Sequence, residues 1–369
     1  MARCKTSRHP RKLKYSERMS TYACIMAGGS GERFWPLSRI AKPKHLVPLL
    51  SESCLLSETV RRVEKALPSE QILVLTNAAQ IEGCRAVVPH LKPEQFVAEP
   101  AKRDTAAACA LGTALVRVLD PDAVVIFLPA DALIKDADMF ASQLKQAVEV
   151  AKEHETIVTF GIRPHHASTR FGYLQSGAAL PESTAACPFF QVEKFIEKPD
   201  VARAEAYLQD GKHFWNAGIF LWTVKTFLRE ARRSKPELAD FIEAFPAKNW
   251  TAYVEEHFPV LPKISVDYAI MEKAEHVVMA EARFDWDDVG SWTALPAHLP
   301  EDAYGNTLQG AVAIHDSHGN IAIAKKRLIA LCGVRDLIVV ETDDAILVCH
   351  RDAAEQIKFL QPNLPVEAK

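Results

Sequence analysis

The chain holds 369 residues, 48% of them apolar and 25% charged, with a formal net charge of −3. That length allows about two domains and a large core, and so small a net charge gives no basis for nucleic acid or an acidic membrane surface as partner. No apolar run reaches the roughly 18 residues of a membrane-spanning helix, so no membrane association is expected.

Residues 1–20 form a basic leader, with Arg3, Lys5, Arg8, Arg11, Lys12, Lys14 and Arg18 against one acid, Glu17. It has no apolar h-region and no apolar periodicity, so it reads as a disordered segment rather than a secretory signal. Met19 is an alternative start. An apolar strand follows at residues 22–26, and then the run Ala27-Gly28-Gly29-Ser30-Gly31-Glu32-Arg33-Phe34-Trp35-Pro36-Leu37-Ser38-Arg39, closed by Lys42-Pro43-Lys44. Glycines let the backbone approach a ligand and turn its N–H groups toward it, and two cations, Arg33 and Lys44, lie close by. A polyanion such as a nucleoside triphosphate suits that arrangement. The run lacks the Gly-Lys-Ser/Thr of a Walker loop and the Gly-x-Gly-x-x-Gly of dinucleotide folds.

Further strands are predicted at residues 71–75, 95–98, 123–128 and 156–162, with helical patterns between them, including an Ala-rich one at 106–119. The βαβα order predicts an α/β fold with a doubly wound, mostly parallel, Rossmann-like sheet, which binds ligands at the carboxyl ends of its strands. Shorter strands and turns occupy residues 173–222, and helices return at 236–245 and 265–274. Beyond about residue 300 only short β runs remain, at 311–314, 321–324, 328–331, 337–341 and 345–349. The expected organisation is a leader (1–20), an α/β domain (21–299) and a small all-β domain (300–369). The eight cysteines lack Cys-x-x-Cys or Cys/His metal spacing. They read as reduced core thiols of a cytoplasmic protein.

The pattern GGSGERFWPLSR…KPK resembles the signature of the sugar nucleotidyltransferases, and within them the mannose-1-phosphate guanylyltransferase branch. The resemblance spans residues 21–360 and implies that GTP and mannose 1-phosphate give GDP-mannose and pyrophosphate. It places Ala27, Gly28, Gly29, Gly31, Arg33 and Lys44 around the nucleotide phosphates. Asp131, after the apolar strand at 123–128, and Asp288, in Phe284-Asp285-Trp286-Asp287-Asp288-Val289-Gly290-Ser291-Trp292, correspond to the family's Mg²⁺ ligands. Carboxylates are hard oxygen donors suited to that ion, although either Asp alone is equally a helix cap or turn residue. The adjacent Asp287 is an alternative ligand.

The same resemblance puts Gly172, Glu197, Lys198, Asn216 and Asp267 at the sugar phosphate. A lysine offers a compact charge to a phosphomonoester, whereas Glu-Lys-Pro by itself is a common surface turn. Glu99, Arg103 and Thr105 fall in the segment that surrounds the base. A carboxylate at Glu99 accepts the paired N1–H and N2–H donors of guanine, which adenine lacks. Asp104 and Thr105 also read as N-caps of the following helix. Relatives carry Gln at His45, His at Ala132 and Asn at Asp104. The C-terminal domain is expected to be left-handed β-helix-like and to help form a homodimer. An isomerase domain, present in longer members, has no room here. Two alternatives stand beside this reading: a sibling enzyme for another nucleotide or sugar, and a non-catalytic GDP-mannose-binding regulator.

Overall fold

The first five strands share one direction: β1 (Thr21–Met26), β2 (Ile72–Asn77), β3 (Phe96–Glu99), β4 (Val124–Pro129) and β5 (Ile157–Ile162). The computed structural model describes residues 19–29 and 31–368, so the basic leader lies almost wholly outside the described residues. Helices α1 (Leu55–Glu64), α2 (Ile81–Val87), α3 (Asp104–Leu119) and α4 (Ala137–Glu153) connect these strands. The chain continues through β6 (Tyr173–Ala179), β7 (Phe189–Ile196), α5 (Val201–Asp210) and β8 (His213–Thr223). Helices α6 (Val224–Ser234), α7 (Pro236–Ala244) and α8 (Trp250–His257) then lead to β9 (Val277–Glu281).

The nine strands form one sheet in the order β3-β2-β1-β4-β8-β5-β9-β7-β6. Only β7 and β8 run against the others, and β8 is inserted antiparallel between β4 and β5. The 11-residue β8 also pairs with β6 through His213, Phe214 and Trp215. Both faces are covered. In β1, Ala23 and Ile25 join the core beneath α1 and α4, while Cys24 faces the core formed with α3, α6 and α7. Burial on both sides explains why β1, β4 and β5 read as continuous apolar runs instead of alternating ones. Cys24, Cys54, Cys84, Cys109 and Cys187 are buried and free.

The C-terminal part is a short coil of parallel strands. One ladder stacks β10 (Thr307–Gln309), β12 (Ile321–Ile323) and β14 (Leu337–Glu341); a second pairs β11 (Val312–His315) with β13 (Ile329–Cys332). At one corner the buried Asn320 donates to Asn306 Oδ1 at 3.0 Å, and Asn306 donates to Ser317 O at 2.8 Å, so successive turns are tied by side-chain amides. The final strand β15 (Ile346–His350) runs antiparallel to β14. The helix expected at 265–274 is a single π-helical turn, Asp267–Met271.

This coil packs directly on the α/β domain. Phe34 and Trp35 of the glycine-loop segment, Leu133, Val289 and Trp292 share a core with Ile321, Ile338, Ala354 and Ile357. The Trp292 ring lies 5.1 Å from that of Phe34, and its Nε1 donates to Trp35 O at 3.3 Å. Trp292→Ala would leave a cavity at this junction and should cost about 3–5 kcal/mol in denaturant unfolding, as for other buried aromatic truncations. The exposed Val260→Ala, away from the junction, should stay within about 0.5 kcal/mol. Equal unfolding midpoints for the two variants would show that the junction carries no stability.

Candidate active site

A cleft of 520 Å³ opens beside the carboxyl ends of β1 and β4, as expected for an open α/β sheet. It is lined by Gly31, Arg33, Lys44, Asp131, Gly172, Glu197, Asn216, Asp267 and Asp288, residues drawn from distant parts of the chain.

The glycine loop is anchored where it leaves β1: Ala27 N donates to Leu75 O at 2.7 Å, and Ala27 O accepts from Thr76 Oγ1 at 2.8 Å. Gly29 has open space around it. Gly31 has φ of +61°, and a Cβ there would stand 2.6 Å from Lys44 Cβ. Only glycine allows the loop and the lysine segment to touch.

Lys44 is buried, and its ammonium is shared out. Nζ lies 2.8 Å from Asp131 Oδ2, 2.7 Å from Asp288 O and 3.2 Å from Val289 O. Burial alone would raise the Asp131 pKa, but the Lys44 charge overrides it and holds the carboxyl below its ordinary value. Asp288 goes the other way: burial lifts its pKa against the opposing pull of Arg170 and Lys44. The two carboxylates face the same cleft with Lys44 beneath them. Asp287 is turned elsewhere. Its Oδ2 contacts His298 Nε2 at 2.8 Å and its Oδ1 accepts from Val289 N at 2.6 Å. These partners outweigh burial and keep its pKa low. Its backbone bridges to Leu133, so Asp287 shapes the loop that carries Asp288.

On the opposite wall, Asn216 Nδ2 donates to Asp267 Oδ1 at 3.1 Å, and Asn216 Oδ1 accepts from Thr159 Oγ1 at 3.1 Å. Burial, then the neighbouring Glu197 charge, pushes the Asp267 pKa up to about 6. Gly172 O accepts from Asn216 N at 2.8 Å, and a Cβ on Gly172 would meet Glu197 Oε2 at 2.5 Å. The missing side chain leaves room for that carboxylate. Lys198 is outside the cleft lining, with its ammonium on Glu197 and its backbone at φ of +46°.

Glu99, at the end of β3, also stands apart from the main cleft and beside Gly28. Burial raises its pKa to about 7. Arg103 donates to Pro259 O. The expected N-caps are not formed: Asp104 has φ of +60°, the residue before α3 is Arg103, and no side chain caps the helix. Thr105 Oγ1 instead accepts from Val266 N at 2.8 Å, tying α3 to the segment that carries Asp267. His45 is buried with its pKa depressed to about 4 by desolvation, and Ala132 is buried in the cleft floor.

Several cleft residues carried no role in the sequence reading. Arg170, Phe171 and Trp286 form one wall, and Lys358 reaches in from beyond β15. Arg170 lies next to the recognisable Phe171-Gly172, but nothing local in the sequence marks Lys358.

Comparison with known proteins agrees with this geometry. The family described as Nucleotidyl transferase matches residues 22–303, and the MannoseP isomerase/GMP-like beta-helix domain matches residues 310–361. The chain is 36% identical over 359 residues to a mannose-1-phosphate guanylyltransferase of Klebsiella pneumoniae, covering 94% of this chain and 75% of that protein. It is 34% identical over 344 residues to the xanthan biosynthesis protein XanB of Xanthomonas campestris pv. campestris, covering 90% and 71%. A crystal structure from Thermus thermophilus, of a protein described as a mannose-1-phosphate geranyltransferase, superposes with a TM-score of 0.84 at 34% identity, over 94% of this chain and 99% of that one. With its α/β sheet, β-helix-like coil and shared cleft, the chain belongs to the mannose-1-phosphate guanylyltransferase family of nucleotidyltransferases.

Proposed function

We propose that the cleft joins GTP to mannose 1-phosphate, releasing GDP-mannose and pyrophosphate. The observation that carries this reading is the placement of Asp131 and Asp288 over one buried ammonium, opposite a wall of sugar-suited acceptors and donors at Glu197, Asn216 and Asp267. A phosphate oxygen of the sugar phosphate attacks the α-phosphorus of GTP in line. The bond to the β-phosphate oxygen breaks, and its electrons leave with pyrophosphate. The attacking oxygen is already anionic near neutral pH, because a phosphomonoester's second pKa is about 6, so no general base is needed. The protein's task is to hold two anions together and balance their charge.

Arg33 faces the triphosphate end of the cleft. Lys44 keeps Asp131 ionised and fixes the Asp288 loop, and it adds positive charge beneath the bound phosphates. The donor set is two hard-oxygen carboxylates facing open space, which fits Mg²⁺; Asp287, engaged by His298, is not part of it. Bound there, the ion would neutralise charge on the reacting phosphate. Lys198 supplies charge beside Glu197 for the incoming phosphomonoester. Glu99 accepts from the guanine edge, beside Gly28. Buried free thiols suit a cytoplasmic enzyme.

Asp131→Asn and Asp288→Asn should each lower turnover by more than about 100-fold, or about 2.7 kcal/mol, while melting as cooperatively as wild type. Asp287→Asn should lose less. Pyrophosphate release from GTP and mannose 1-phosphate is the assay, and near-wild-type rates in both variants would refute the metal assignment.

Base recognition should depend on pH. Below its pKa of about 7 the Glu99 carboxyl is neutral and has one acceptor fewer for guanine. The KM for GTP should therefore rise as pH falls from about 8 to about 6. Glu99→Gln should flatten that rise and cut the preference for GTP over ATP about tenfold. An unchanged ratio of kcat/KM for the two nucleotides would exclude Glu99 from base choice.

We infer a homodimer from the apolar side chains that the coil leaves exposed, Leu328, Ile346 and Val348. Light scattering should give twice the chain mass. A monomer at micromolar concentration would rule it out.

A further inference from the structure

Beyond β15 the chain forms a 3₁₀ helix, Arg351–Asn363, that lies against the glycine-loop segment. Runs of 3₁₀ helix this long are uncommon and need outside support. Here the support is visible. Arg351 N donates to Asp336 O at 2.8 Å and Arg351 Nη1 donates to Gly319 O at 2.9 Å; beyond the helix, Trp35 Nε1 donates to Ala368 O at 2.9 Å. Residues three apart eclipse one another in such a helix. Ala354 and Ile357 accordingly share one face and are buried in the junction core, at 2% and 3% exposure. Glu355 and Lys358 share the next face, on the side of the cleft.

Glu355 sits between the two cleft arginines. Its Oε2 is 2.7 Å from Arg33 Nε, and its Oε1 is 2.8 Å from Arg170 Nη1. Arg170 Nη2 in turn lies 3.6 Å from Asp288 Oδ1. One carboxylate thus offsets the mutual repulsion of two guanidinium groups and fixes both on the same wall. Its closest approach to Arg33 is at Nε, the nitrogen nearest the stem, as an ion pair without the alignment of a hydrogen bond. Lys358 lines this end of the cleft, with its ammonium 5.0 Å from the centre of the Phe359 ring.

We propose that this C-terminal helix is part of the nucleotide site, with Lys358 contacting the terminal phosphates and Glu355 positioning Arg33 and Arg170 to receive them. The proposal rests on the nucleotidyltransferase reading above and adds its leaving-group subsite. The ligand chemistry is that of a pyrophosphate group, either the end of a nucleoside triphosphate or the free product.

The test measures equilibrium binding of GTP and of inorganic pyrophosphate separately from turnover, in the full chain. Lys358→Ala should weaken both about tenfold, and Lys358→Arg should restore most of the loss. Glu355→Gln should raise the Kd and KM for GTP about fivefold to tenfold while the KM for mannose 1-phosphate and the melting temperature stay at wild-type values. A merely structural helix would behave otherwise: its variants would lower the melting temperature and disturb both substrates, as Ile357→Ala is expected to do. Unchanged GTP and pyrophosphate affinity in Lys358→Ala and Glu355→Gln overturns the proposal. Tighter GTP binding in Glu355→Gln also overturns it, because Glu355 would then be a competitor for the arginines. Failure of the wild-type chain to form GDP-mannose would instead refute the underlying reading, and the binding data would still decide the role of the helix.

Discussion

The site depends on one buried ammonium. Lys44 reaches from the glycine-loop segment to the carboxylate that follows β4 and to the main chain of Asp288, contacts that span 244 residues of sequence. A lysine taken out of water must be compensated, and here a carboxylate and backbone carbonyls share the task. The arrangement has a second effect. Because the ammonium favours ionised Asp131, the cleft carries a half-exposed carboxylate held in its charged form. Gly31 makes this possible, since any larger residue would collide with the lysine backbone.

Around that centre the elements divide the work. The parallel strands deliver Asp131 and the glycine loop at one end of the sheet. The antiparallel β8 brings Asn216 to the facing wall, where Thr159 and Asp267 hold its amide in a fixed orientation. Fixing that amide beforehand lowers the cost of ordering it when a ligand arrives. Glu99 is set apart, at the outer strand β3.

Much of this was legible in the sequence because it is local. The strand before the glycine run, the apolar stretch ending at Asp131 and the Asp288 motif are each recognisable in a dozen residues or so, and burial on both faces makes the strands read as apolar runs. What stayed hidden depends on pairing across the chain. Nothing in residues 213–223 announces a strand inserted backwards between β4 and β5, since its partners lie far away in sequence. The same holds for the pairing of Lys44 with Asp131, and for Thr105, whose hydroxyl accepts from Val266 N instead of capping its own helix. Glu355 and Lys358 belong to no motif at all.

The core shared by the two domains has a kinetic meaning. Phe34 and Trp35 are synthesised early, yet Ile338, Ala354 and Ile357, which cover them, come roughly 300 positions later. Contacts of such long separation carry a large loop-closure cost and form late. On the ribosome the sheet can close long before the glycine-loop segment is seated. Until the coil emerges, the two aromatic rings have only part of their cover, from Leu133, Val289 and Trp292, and the loop that would meet a nucleotide lacks its outer support. The nascent enzyme therefore passes through a stage with its strands paired and its binding site unfinished.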